Sequence, residues 1–150
     1  RGEIEARKEA ETASMLTGMF PEMSRYEFED DIYTIFSNGD AIGYAFVATG
    51  KGYGGDIDIL VGLEDEDTVK GITIISQKET PGLGTRIADP SFTEEFSGLG
   101  IDEVALSKEG GEVDAITGST VSSVAVIDAV KAAAMDKVKL IKAGKEGKGG

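Results

Sequence analysis

The chain has no cysteine and no histidine among its 150 residues. Without thiol or imidazole it cannot build a zinc finger, an iron–sulfur cluster, a histidine-ligated haem, a thiolate nucleophile or a Ser-His-Asp triad. Redox activity in such a chain has to come from a bound organic cofactor. Positive charge is also scarce: 15 Lys and Arg stand against 28 Asp and Glu, a net charge of −13. That balance repels nucleic acid and anionic lipid surfaces and favours solubility, so nucleic acid is excluded as a partner. No apolar run is long enough to cross a bilayer, and no signal-peptide pattern is visible.

What is present suits one domain with a substantial core, since 40% of the residues are hydrophobic. Residues 1–20 carry Ile4, Ala6, Ala10, Ala13, Leu16, Met19 and Phe20 among charges, which predicts a docked amphipathic helix stopped by Pro21. Strand-like runs follow at 31–37, 41–48, 56–63 and 68–76, with turns at Asn38-Gly39-Asp40 and at 64–67. Four runs in series suggest an antiparallel meander. A short helix is expected over 89–96 with Phe92 and Phe96 on one face, and a further strand through Val104 to Leu106. From Thr120 to about Lys142 the pattern is again an amphipathic helix. Strands grouped between terminal helices give the fold class α+β: a single domain, largely antiparallel, with an N-terminal helix and a long C-terminal helix.

Acidic pairs such as Asp30-Asp31 and the run Glu64-Asp65-Glu66-Asp67 lack the alternating ligands and final bidentate Glu of an EF-hand. The run reads as a solvated hairpin turn, and no metal ligands are assigned. Residues 131–150 hold six Lys against Asp136 and Glu146, a local +4 that leaves −17 on the rest. A basic helix end and a frayed tail account for it.

Two short stretches carry chemistry. Asp114-Ala115-Ile116-Thr117-Gly118-Ser119-Thr120 ends in hydroxyls at the start of the last helix. Free backbone N–H groups and the positive dipole end favour a phosphate there. A turn and N-cap formed by Ser119 or Thr120 is the plain structural alternative. The second stretch is Glu79-Thr80-Pro81-Gly82-Leu83-Gly84. Pro81 stiffens it and holds Thr80 extended, while Gly82 and Gly84 permit positive φ and the close approach of another group. Leu83, between two glycines, either plugs into the core or lies exposed against an aromatic ligand.

Together these stretches resemble the FMN-binding domain family, found in the G subunit of the Rnf electron-transport complex and the C subunit of the sodium-translocating NADH:quinone reductase. The family's Asp-x-x-Ser/Thr-Gly-Ala-Thr signature is similar to 114–120, with Ser119 where the family usually has Ala. Its Glu-Thr-Pro-Gly-Leu-Gly signature matches 79–84, and Gly52-Tyr53-Gly54-Gly55 resembles its entry into a core strand. The likeness spans about 41–134.

That resemblance implies an FMN-binding domain over 1–150, with an N-terminal helix over about 1–20 and a flexible tail over about 143–150. It implies FMN held covalently through a phosphoester on Thr120, making the chain a phosphoprotein and Thr120 a modification substrate. No residue is assigned as a catalyst: the protein is read as an electron-transfer component of a redox-driven translocase. Glu79, Thr80, Gly82, Leu83, Gly84, Thr117, Gly118, Ser119, Val121 and Ser122 are the implied cofactor-binding residues. Glu79 is left as an acceptor for a ring N–H or as a solvated carboxylate, and Lys108 as a weak charge contact. A flavin transferase, drawing on FAD in family members, would recognise Asp114, Thr117, Gly118 and Thr120. The other implied partners are the subunits of an Rnf-type membrane complex. A single N-terminal transmembrane helix ahead of Arg1 is expected, holding the domain on the extracytoplasmic face. Alternatives are the C subunit of the quinone reductase, a free extracytoplasmic flavin carrier, or a non-redox binding module.

Overall fold

The computed structural model describes residues 2–149, with side-chain surroundings for 9–145. Five strands, β1 (Arg25–Glu29), β2 (Ile32–Ser37), β3 (Asp40–Lys51), β4 (Asp56–Leu63) and β5 (Val69–Ser76), form one sheet in chain order. Every neighbouring pair is antiparallel. The turns explain the meander. Asn38 and Gly39, at φ 51° and 87°, make the two-residue left-handed turn whose twist matches that of the strands it joins. Asp30 and Asp31, at 55° and 62°, do the same between β1 and β2. At the β4–β5 turn the Asp65 carboxylate accepts the N–H groups of Asp67 and Thr68, both at 2.8 Å. The acidic run is therefore a capped turn.

Alternation along β3 divides the sheet into two faces. Phe46, Ala48, Ile57, Ile59, Val61 and Leu63 face helix α3 (Thr120–Gly149), meeting its Val126, Ile127, Val130 and Ala134. Ile35, Ala45 and Leu60 face helix α1 (Gly2–Met19) through Leu16 and Phe20. The expected docking of the first helix is met at Leu16 and Phe20, and Pro21 follows its end; Ile4 and Ala6 lie outside the residues whose side chains are described. The short helix α2 (Pro90–Thr93) and the 3-10 turn Glu94–Phe96 bring Phe92 and Phe96 edge to face at 5.4 Å and close the larger core. The architecture is the expected α+β domain: helix, five-stranded antiparallel sheet, long C-terminal helix.

Three expectations need correction. β1 was missed because Arg-Tyr-Glu-Phe-Glu leaves only Tyr26 partly buried and carries little core signal. No strand forms at 104–106. Val104 and Leu106 are buried, but the 3-10 turn Ile101–Glu103 precedes them and a single parallel bridge, Leu106 to Val113, is all the pairing there. Their alternation belongs to a loop that plugs the core. The last helix does not stop near Lys142; it continues to Gly149. Ile141 is buried, and Lys145 reaches Glu66 at 2.9 Å, which holds the extra turns against the β4–β5 turn.

One contact positions the site. A Cβ on Gly50 would stand 2.6 Å from the Ala125 carbonyl oxygen, so only glycine lets the first turns of α3 lie directly on β3. The start of α3 is thereby set beside the β3–β4 loop.

Candidate functional site

The chain enters α3 through a tight turn. Ser119 donates its backbone N–H to the Ile116 carbonyl at 2.9 Å, and Gly118 supplies the positive φ, 80°, that the turn requires. Ser123 braces it: its Oγ donates to the Ser119 carbonyl at 2.8 Å and accepts the Ile116 N–H at 3.0 Å. Ser119 thus holds the N-cap position, but its hydroxyl does not cap. Its Oγ is buried and has no hydrogen-bond partner among the described residues. Thr120 follows as the first helical residue and is exposed. The N–H groups of Thr120, Val121 and Ser122 belong to the first turn, where a helix offers no internal acceptor.

The second stretch forms the facing wall. Leu83 and Thr85 donate their N–H groups to the Thr80 carbonyl at 3.1 and 3.3 Å, and the Gly82 N–H reaches Thr85 Oγ1 at 3.0 Å. This knot leaves Leu83 48% exposed, so it does not plug the core. Arg86 ties the two stretches, donating to the Thr117 carbonyl at 3.4 Å. Between them lies a cavity of about 500 Å³ lined by Tyr53, Thr80, Leu83, Gly84 and residues 118–122. Among the described residues no charged side chain lines it.

Glu79 is neither solvated nor turned toward the cavity. It is buried, and its carboxylate accepts Tyr53 N–H at 2.8 Å, Gly54 N–H at 2.7 Å and Ser122 Oγ at 2.5 Å. Burial pushes its pKa up, but the donors from Ser122, Gly54 and Tyr53 outweigh that and hold it below the ordinary glutamate value. Two of the glycines are explained by the same side chain. A Cβ on Gly84 would sit 2.5 Å from Glu79 Cβ, and one on Gly52 would meet its carboxylate, whereas one on Gly54 would first meet the Lys78 carbonyl oxygen at 2.0 Å. The group that approaches Gly52 and Gly84 closely is Glu79 itself.

The structure brings Thr80, Leu83, Gly84, Gly118, Ser119, Thr120, Val121 and Ser122 to one cavity. The Ser122 hydroxyl proton is committed to Glu79. Gly82 sits on the exposed outer turn at φ 78°, and Thr117 contributes its carbonyl to Arg86; neither lines the cavity. Asp114 is exposed and accepts from Ser107 Oγ at 2.5 Å, away from the lining, and Lys108 lies on the neighbouring 3-10 turn Ser107–Glu109. Tyr53 was missed as a site residue. Its signal was a large side chain bracketed by glycines, the same signal that singled out Leu83.

The donor set fits a ligand with an anionic end and a flat apolar body. The buried, unpaired Ser119 hydroxyl and the first-turn N–H groups of α3 suit a phosphate, and the exposed Leu83 and Val121 side chains suit an apolar ring system.

Comparison with known proteins agrees. Residues 52–135 match the FMN-binding domain family. The G subunit of the ion-translocating oxidoreductase complex of Methanosarcina acetivorans is 41% identical over 98 residues, covering 65% of this chain and 52% of the relative. The G subunit of the Na(+)-translocating ferredoxin:NAD(+) oxidoreductase complex of Acetobacterium woodii is 40% identical over 108 residues, covering 67% and 51%. The chain thus spans about half the length of these curated relatives. Among solved structures, the C subunit of the Na(+)-translocating NADH-quinone reductase from Parabacteroides distasonis superposes with a TM-score of 0.57 at 26% identity, covering 67% of this chain and 56% of that one. Shewanella oneidensis NqrC, at 20% identity, covers 80% of this chain and 73% of its own with a TM-score of 0.58, and shares the fold. With residues 52–135, more than half of its length, matched by that family, this chain belongs to the FMN-binding domain family.

Proposed function

We propose that this domain carries FMN covalently through a phosphoester on Thr120 and serves as an electron-transfer subunit of an Rnf-type ion-translocating membrane complex. The observation that carries the reading is the exposed Thr120 at the start of α3, in the lining of the cavity and next to Ser119, whose buried hydroxyl has no partner among the described residues. The relatives' names, as G subunits of ion-translocating or ferredoxin:NAD(+) oxidoreductase complexes, support the assignment to such a complex.

Bound FMN supplies the one- and two-electron chemistry that the side chains of this chain lack. The chain's own residues bind, orient and exclude water. N–H groups of Thr120, Val121 and Ser122 and the dipole of α3 receive the phosphate end. Ser119 Oγ, buried with its proton uncommitted, adds a donor there. Leu83 and Val121 shelter the ring system from water, and Thr80 and Gly84 complete the wall.

Attachment requires a separate flavin transferase acting on residues 114–120. With FAD as donor, Thr120 Oγ1 forms a bond to the FMN phosphorus and loses its proton, the diphosphate P–O bond breaks, and AMP leaves. The exposed Asp114 is accessible to such an enzyme and lies outside the cavity. We place the domain on the extracytoplasmic face of the cell membrane, held by an N-terminal transmembrane helix as the family resemblance implies. Among the described residues no helix is long and apolar enough to cross a membrane.

The test is coexpression with a flavin transferase, followed by intact mass and flavin fluorescence of acid-precipitated protein. The wild-type chain should gain the mass of FMN less one water, and Thr120→Ala should lose both signals while staying folded. Flavin retained on Thr120→Ala but lost from Ser119→Ala would move the anchor to Ser119. No flavin on any variant would favour a non-redox binding module.

A further inference from the structure

Tyr53 reaches the cavity from the loop between β3 and β4, and its side chain is 80% exposed. It is flanked by Gly52, Gly54 and Gly55, the last at φ 144°. An exposed ring on so glycine-rich a loop has no fixed place unless its backbone is held. Apart from the Gly52 N–H to Gly55 carbonyl bond at 2.8 Å, the holding group is Glu79. It accepts the N–H groups of Tyr53 and Gly54 on separate carboxylate oxygens. Glu79 is fixed in turn by the Ser122 hydroxyl in the first turn of α3, and its own N–H donates to Gln77 Oε1 at 2.7 Å.

One buried carboxylate therefore joins three segments that border the cavity: the Tyr53 loop, the 79–84 knot and the start of α3. A buried carboxylate is costly unless donors compensate it, and here all the compensation comes from these segments. The charge is used to fix geometry.

We propose that Glu79 is a positioning residue that clasps the β3–β4 loop, and that the clasp sets Tyr53 at the cavity mouth as an aromatic cover for the planar ring system of the bound cofactor. Tyr53 shares that mouth with Leu83 and Val121, both exposed, so the ring system would lie among apolar and aromatic side chains. The ring contact rests on the FMN reading above; the clasp does not.

The experiment has two arms. In the first, amide hydrogen exchange is followed on the unloaded chain. Tyr53 and Gly54 amides should be protected in the wild type. Glu79→Gln should lower Gly54 protection about tenfold or more, because a carboxamide presents N–H₂ where an acceptor is needed. Ser122→Ala should loosen the same amides less. Unprotected amides in the wild type, or protection unchanged in Glu79→Gln, overturns the clasp.

In the second arm, flavinylated chains are compared by flavin fluorescence and reduction potential. An electron-rich phenol stacked on the ring quenches its emission, so Tyr53→Leu should brighten the flavin and shift its potential without moving the unfolding midpoint. Glu79→Gln should brighten it too, with Tyr53 intact, a result that a purely structural role would not give. Fluorescence and potential unchanged in Tyr53→Leu overturns the aromatic cover. A wild-type chain that takes up no flavin sinks the attachment reading and the ring contact with it, while amide protection still decides the clasp.

Discussion

Truncating Leu83 to Ala separates a wall of the cofactor site from a piece of the core. Burying a leucine fully is worth about 1.5–3 kcal/mol, and the side chain here is 48% exposed, which leaves about 1 kcal/mol of burial to lose. No cavity penalty adds to it, because the vacated space opens to solvent. For a chain of this size about 1 kcal/mol corresponds to a fall of roughly 2–4 °C in the unfolding midpoint. A core leucine would cost about 2–5 kcal/mol instead. On the flavinylated chain the same substitution admits water to the ring system, so the reduction potential and visible spectrum should shift while the covalent linkage survives. Calorimetry of the unloaded chain and potentiometry of the loaded one give the two numbers. A loss above about 3 kcal/mol with an unmoved potential would refute the reasoning and return Leu83 to the core.

Three further outcomes follow from the packing and charges. Gly50→Ala should destabilise by about 1–3 kcal/mol, since its Cβ would stand 2.6 Å from the Ala125 carbonyl oxygen, a backbone atom that cannot yield; urea unfolding measures it. Gly144→Ala should act oppositely, gaining about 0.5–1 kcal/mol, because it is helical with nothing within 4 Å of its Cβ; a rise in thermal midpoint checks this. Glu79 has a folded pKa below its unfolded value, so the stability it contributes is present above the ordinary glutamate pKa and lost as pH falls through the folded one. Unfolding midpoints of the unloaded chain should drop between about pH 5 and pH 3, and less steeply in Glu79→Gln.

The elements most legible in the sequence were those whose pattern and punctuation agreed. β4 was placed at 56–63 as observed, because Asp56 and the glycines before it mark the start and the 64–67 turn marks the end. β1 was not legible, since its turn uses Asp30-Asp31 in left-handed conformations that glycine or asparagine usually signals. The end of α3 was misread for a related reason. The basic residues of 131–150 read as a helix end and a frayed tail, but the Lys145 contact with Glu66 comes from a residue some eighty positions away, and no local pattern contains it. At the site, the sequence named the two stretches that meet and the hydroxyl at the helix start. It did not reveal which groups the glycines admit.

That last point changes how the 79–84 signature is understood. Glycines in a ligand-binding loop are naturally assigned to the ligand, yet Gly52 and Gly84 make room for Glu79 and Gly54 for the Lys78 carbonyl. The signature thus encodes an internal carboxylate and its cradle before it encodes contacts to anything bound. The location of that carboxylate matters. By taking the Ser122 hydroxyl it places one negative charge at the first turn of α3, the same helix end proposed for the phosphate. Two anions can share one helix end only if each has its own donors. Glu79 has the Ser122 hydroxyl and the amides of Tyr53 and Gly54, while the first-turn N–H groups and the buried Ser119 hydroxyl, without a partner among the described residues, are left for the phosphate. On the proposed reading, the Ser119 hydroxyl is the further donor that the second anion would call on.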